Sequence, residues 1–152
     1  MSAPSTTILP NHAIEVPQKY RMLVVEDDRE LAEIVGRIAG VVEEDLHVDV
    51  AATGALARRL LSEHRYDFVL LDNYLDPGEQ GVDLIEVVRA LQPNAGVAMM
   101  SSMDLMRLID LTSHERSVQI LPKPFSPQLL KAFLHDVLMP SRHGHQEPLK
   151  IL

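Results

Sequence analysis

The 152 residues contain no cysteine, which excludes disulfides, thiol nucleophiles and thiolate metal sites. Long hydrophobic runs are also missing. The longest, such as Ile38-Ala39-Gly40-Val41-Val42, span about five residues against the roughly 20 that a membrane helix needs, so no membrane partner is expected. No basic head precedes an apolar stretch at the N-terminus, so no secretory signal is read there and a cytoplasmic protein is expected. Positive charge is scarce: 14 Lys and Arg stand against 22 Asp and Glu, a formal net charge of −8. Phosphate backbones repel such a chain, which argues against direct binding of nucleic acid. What is present is ordinary for one globular domain, with 46% hydrophobic and 24% charged residues.

Residues 1–20, with Pro4, Pro10 and Pro17 among Ser, Thr and Asn, show no period and read as a flexible leader. Residues 140–152, from Pro140 through Ser141-Arg142-His143-Gly144-His145, read as a flexible tail. The domain lies over 21–139. Short apolar runs at Met22–Val25, His47–Ala52, Phe68–Leu71, Val97–Met100 and Val118–Leu121 alternate with helical stripes. The stripes are Leu31, Ile34, Val35, Ile38 and Val42; Leu56, Leu60 and Leu61; Leu84, Val87, Val88 and Leu91; and Leu130, Phe133, Leu134, Val137 and Leu138. Thr53 and Ser126 are placed to cap helices, the latter with Pro127 in the first helical position. A further helix over about 104–114, between the fourth and fifth runs, has weak boundaries.

Five strands alternating with five helices predict an α/β fold, a parallel sheet covered on both faces. Runs one, three and four are continuously apolar, whereas runs two (His47, Val48, Asp49, Val50) and five (Ser117, Val118, Gln119, Ile120) alternate. Alternation marks half-exposed strands and puts those two at the edges. The expected architecture is therefore a flavodoxin-like (βα)5 sheet of order 2-1-3-4-5, with ligands bound beyond the carboxyl ends of its strands.

At that edge the first run ends in Glu26-Asp27-Asp28, the third in Asp72, the fourth in Ser101-Ser102, and the fifth leads into Lys123. No Gly-rich turn follows the first run, which removes the dinucleotide fingerprint and the P-loop. Three carboxylates converging within about 4 Å repel by roughly 4 kcal/mol per pair at an effective dielectric of 20. A cation must offset this, and oxygen-only donors select a hard ion, Mg²⁺ or Mn²⁺. With metal and the Lys123 ammonium neutralising the equatorial oxygens, a carboxylate at Asp72 can attack a phosphoryl group, and Ser101 can then donate to it. Simpler roles compete at some positions. Asp28 reads best as the N-cap of the first helix; for Glu26 a solvated strand-end acid, and for Ser102 a cap for the helix that follows, stand as alternatives to a site role. Asp27 and Asp72 resist such readings, because each ends an apolar central strand where an unpaired charge is costly.

These stretches resemble the receiver domain of the two-component response regulators over roughly residues 20 to 140. The matching segments are Leu23-Val24-Val25-Glu26-Asp27-Asp28, Tyr66-Asp67-Phe68-Val69-Leu70-Leu71-Asp72, Met99-Met100-Ser101-Ser102 and Leu121-Pro122-Lys123-Pro124-Phe125. The resemblance implies Asp72 as phospho-acceptor, Asp27 as direct metal ligand, Glu26 acting through water and the backbone carbonyl of Tyr74 as a further ligand. It implies Ser101 as the switch hydroxyl, Lys123 as the family's lysine, and a cis Lys123–Pro124 bond, an isomer whose cost proline lowers. Leu71-Asp72-Asn73-Tyr74-Leu75 further resembles the branch that regulates citrate and other carboxylate metabolism. Implied partners are a histidine kinase or phosphotransfer protein upstream and a protein bound on the fourth helix, fifth strand and fifth helix downstream, with a homodimer as a further candidate. The chain is then expected to be no enzyme in its own right, limited to self-phosphorylation and autodephosphorylation.

Departures from the family pattern are specific. Asp76-Pro77-Gly78-Glu79-Gln80 adds one residue between Asp72 and Gly81, with Asp-Pro in place of the usual proline. Ile120 stands where relatives carry an aromatic switch residue, and Ser113-His114-Glu115-Arg116 replaces their Gly-Ala turn, which leaves the mode of switching open. Relatives flank the phosphoryl group with the residues at Tyr74 and Met103; both are large here, so slow autodephosphorylation is expected. No second domain is expected after Leu138, because the residues that remain cannot fold into a DNA-binding module. Two other classes compete. A dehalogenase-like phosphatase needs an acid at position 74, where Tyr stands. A pseudo-receiver would act as a phosphorylation-independent interaction module, against which the full acid, hydroxyl and lysine set argues.

Overall fold

The structure, a computed structural model, describes residues 19–75, 79–102 and 118–139. The leader apart from Lys19 and Tyr20, the tail, Met103 and the helix expected over 104–114 lie outside those residues. In chain order the elements are β1 (Tyr20–Val25), α1 (Arg29–Val42), β2 (Leu46–Ala51), α2 (Gly54–Glu63) and β3 (Phe68–Asp72). They continue with the short strands β4 (Tyr74–Leu75) and β5 (Glu79–Gln80), α3 (Gly81–Leu91), β6 (Gly96–Ser101), β7 (Val118–Pro122) and α4 (Pro127–Leu138).

Five strands form one parallel sheet of order β2-β1-β3-β6-β7, the expected 2-1-3-4-5 with the antiparallel β4/β5 ribbon standing apart. Alternation along each strand sends neighbouring side chains to opposite faces. Leu23, Val25, Val69, Leu71 and Met99 accordingly pack on one face with Leu61 of α2 and with Leu84, Ile85 and Val88 of α3. Met22, Val24, Leu70 and Met100 pack on the other with Ala32, Val35 and Ala39 of α1 and with Leu130, Phe133 and Leu134 of α4. The register sets Val25 beside Leu71 and Asp72 beside Met100, so the carboxyl ends of β1, β3 and β6 finish level. The helix starts follow their caps: Asp28, Thr53 and Ser126 accept from the backbone N–H groups of Leu31, Leu56 and Leu129, each at 3.1 Å. Among the described residues no helix is long and apolar enough to cross a membrane.

Two details of the sequence reading are corrected. Ile34, placed in the α1 stripe, is 37% exposed, and the fully buried line is Ala32, Val35 and Ala39. Small residues take that line because α1 lies close against both the sheet and α4. On β2, an edge strand as expected, Leu46 and Val48 face the α1/α4 core, but the apolar alternation ends there: Val50 is exposed, while Asp49 is half-buried. Asp49 is held by three donors, the Arg21 guanidinium and the Tyr66 hydroxyl at 2.8 Å and the His47 ring at 2.9 Å. Burial alone would raise the Asp49 carboxyl, and these hydrogen bonds outweigh it and lower its pKa below the ordinary value. Burial beside the Asp49 carboxylate in turn pushes the Tyr66 hydroxyl well above the usual phenol range.

Leu134→Ala, at a site with no solvent exposure, is expected to cost about 2–5 kcal/mol in urea unfolding, whereas Val50→Ala on the exposed edge is expected to cost under about 1 kcal/mol.

Candidate functional site

The level strand ends gather acids from two elements. Glu26 and Asp27 follow β1 and Asp72 ends β3, and one carboxylate oxygen from each lies within 4.8 Å of the others. Glu26 is 1% exposed and Asp72 is 6% exposed, which overturns the solvated reading of Glu26; Asp27, expected at a costly strand end, lies two residues past β1 and stands open to solvent. The Glu26 position is fixed by its own backbone, whose N–H donates to the Ala51 carbonyl at 3.0 Å, and by its carboxylate, which accepts from the Asp28 N–H at 3.1 Å.

Lys123 reaches this cluster from the end of β7. Its Nζ donates to Glu26 Oε2 at 3.0 Å and stands 3.3 Å from Asp72 Oδ1. Its backbone N–H donates to the Ser101 carbonyl at 2.8 Å, which ties the lysine to the end of β6, and the Lys123–Pro124 bond is cis. Pro124 itself is exposed, and Phe125 packs against the α1/α4 core. Ser101 is buried at the end of β6, one residue beyond the Met100 that pairs with Asp72; Ser102 is exposed. Tyr74 presents its N–H to Asp72 Oδ1 at 3.4 Å, and its ring is 67% exposed. Ile120 packs against the core on the α2/α3 side.

Burial raises the Glu26 carboxyl to about 7, against the opposing pull of Lys123 and the Asp28 N–H. Burial would lower Lys123, but the Glu26 and Asp72 carboxylates outweigh it and raise the ammonium above its ordinary pKa. One ammonium therefore faces three acids, and the excess negative charge sits among oxygen donors with no sulfur or imidazole. That donor set fits a hard divalent ion such as Mg²⁺.

The structure thus brings together Glu26, Asp27, Asp72, Tyr74, Ser101 and Lys123 as the sequence suggested, with Ser102 and Pro124 at the margin and Met103 outside the described residues. Two glycines were missed. A Cβ at Gly81 would overlap the Asp72 carbonyl, and one at Gly54 would overlap the Glu79 carboxylate. The signal was the placement of both glycines at helix starts beside the candidate site.

A parallel sheet of this order, with paired acids, a strand-end Asp and a lysine at its carboxyl edge, defines a receiver. Residues 22–135 match the family model of the response regulator receiver domain, and the chain belongs to that family. It is similar to the transcriptional regulatory protein MalR of Bacillus subtilis (strain 168), at 30% identity over 115 residues covering 76% of this chain and 48% of that protein. The chain spans about half the length of that relative. It is also similar in structure to a CheY-like response regulator receiver domain protein from Methanospirillum hungatei JF-1, with TM-score 0.68 and 21% identity over 82% of this chain and 98% of that one. A response regulator from Burkholderia pseudomallei with a phosphorylated aspartic acid, calcium ion and citrate aligns with TM-score 0.65 and 20% identity over 88% and 77% of the two chains. These two likenesses show the fold.

Because the Glu26 carboxyl is raised in the folded state from 4.5 to about 7, the folded protein holds a proton that the unfolded chain has released across that window. Stability of the metal-free protein is expected to be highest below the lower value and to fall as pH rises through the upper one. Glu26→Gln should flatten that slope in urea titrations run at a series of pH values.

Proposed function

We propose that this receiver accepts a phosphoryl group on Asp72 from a histidine kinase or phosphotransfer protein, and that the acyl phosphate changes which protein it binds. The observation that carries this reading is the Lys123 ammonium set between Glu26 and Asp72, 3.0 and 3.3 Å from their oxygens, in a buried acidic pocket. Asp72 Oδ attacks the phosphorus, the bond to the donor breaks, and the donor leaves with its electron pair. Lys123 stays beside the acceptor and neutralises the charge that arrives. Ser101, tied through its carbonyl to the Lys123 N–H, is the hydroxyl that turns to the new phosphoryl oxygens.

Glu26, Asp27 and Asp72, with the Tyr74 carbonyl, would hold Mg²⁺ or Mn²⁺, which when bound supplies positive charge to the phosphoryl oxygens. The calcium ion and phosphorylated aspartic acid of the Burkholderia pseudomallei relative support the same use of the pocket here. The receiver stores a signal and turns over no substrate. Its output is placed in control of transcription, as the likeness to MalR suggests, through protein contacts around β7 and α4 or with a second copy, in the cytoplasm. A chain of net charge −8 is unsuited to touch DNA itself.

Incubation with acetyl phosphate and Mg²⁺ is expected to add about 80 Da by intact mass, the mass of one phosphoryl group, and Asp72→Asn should abolish the adduct. No adduct on the wild-type chain would overturn the reading and leave a phosphorylation-independent module. Tyr74→Asn is expected to shorten the lifetime of the phosphorylated form several-fold. Equal or slower loss in the variant would show that Tyr74 does not shield it.

A further inference from the structure

Residues 72–75 and 79–81 are pinned beside Asp72, and the Glu79 side chain crosses to another element. At the base, the Asn73 N–H donates to the Met100 carbonyl at 2.9 Å and the Gly81 N–H donates to the Asn73 carbonyl at 2.8 Å. A Cβ at Gly81 would overlap the Asp72 carbonyl, so the chain returns against the acceptor's own backbone. Leu75 is fully buried in the core beside Leu71 and Leu84, and it pairs with Glu79 on the returning strand.

The Glu79 side chain then reaches α2. Its Oε1 accepts from Arg58 Nη1 at 2.6 Å, and both carboxylate oxygens fill the space where the first residue of α2, Gly54, would carry a Cβ. An exposed ion pair by itself does little. This carboxylate, however, is only 27% exposed, lies against a helix start that favours negative charge, and sits in the space that a Cβ at Gly54 would take, so a side chain there would displace it. The loop before Gly54 also begins at Ala51, whose carbonyl receives the Glu26 N–H at 3.0 Å. Glu79 therefore joins the two loops that flank the acid cluster.

We propose that Glu79 is a positioning residue. By latching the β4/β5 ribbon onto Gly54 and Arg58, it holds Tyr74 against Asp72 and thereby sets how tightly the acid site takes Mg²⁺. The proposal rests on the reading of the site given under Proposed function.

The test measures two quantities in the full chain: amide hydrogen exchange at Tyr74 and Gln80 without metal, and Mg²⁺ affinity by calorimetry. The variants are Glu79→Ala, Gly54→Ala and the two combined. Gly54→Ala keeps every partner chemically intact and adds a residue that favours helix, so α2 remains folded. Each single variant is expected to speed exchange at both amides and to weaken Mg²⁺ binding about tenfold, the usual effect of losing an outer-shell support. The combined variant is expected to be no worse than the worse single one, because the overlap at Gly54 exists only while Glu79 is present. Unchanged exchange or unchanged Mg²⁺ affinity in Glu79→Ala overturns the proposal. So does an effect of Gly54→Ala that persists undiminished once Glu79 is gone. A wild-type chain that takes up neither Mg²⁺ nor phosphoryl overturns the reading of the site itself. A competent wild type matched by Glu79→Ala overturns the latch alone.

Discussion

The arrangement depends on one ammonium group. Lys123 lies between two carboxylates that the sheet has buried, and without it Glu26 and Asp72 would confront each other among apolar neighbours. Burying charge without a partner is expensive. Glu26 shows the tension directly: even with Lys123 beside it, burial holds its carboxyl near neutrality. A pocket left this short of positive charge is prepared to receive a cation, and then the anionic group that the cation attracts. The lysine gives the acids a stable place to wait.

The fold enforces this through level strand ends. β1, β3 and β6 are paired in parallel, so the residues that end them arrive together although more than seventy positions separate Val25 from Ser101. Lys123 comes from the next strand over, held by its N–H on Ser101, and its approach is therefore set by the sheet and not by its own flexible side chain. The same logic brings Ser101 to the strand end next to that of Asp72. A chemistry that needs four separate groups is met by four consecutive strand ends.

Much of this could be read from the residues. Continuous apolar runs identified the central strands, caps at Thr53 and Ser126 marked helix starts, and the acids were visible because they end such runs where solvent-facing charge is not expected. Less legible was anything set by tertiary approach. The exposed Ile34 carries the right period but lies at the rim of α1, a distinction that only the distance to α4 decides. Nor did the alternation of β2 show that Asp49 would be sheltered by three donors while Val50 at the strand's end stays exposed. The Glu79 contact joins residues of two different loops, and no local pattern announces it.

The Asp49 network has a consequence for assembly. β2 is a free margin of the sheet, with backbone groups that could template another chain. Its middle carries an anion already bound to Arg21, Tyr66 and His47, so a strand laid alongside would have to approach a fixed charge and a crowd of bulky rings. The charge on that margin is held in place by side chains from β1, from β2 itself and from the turn before β3, so a neighbouring strand would have to accommodate it.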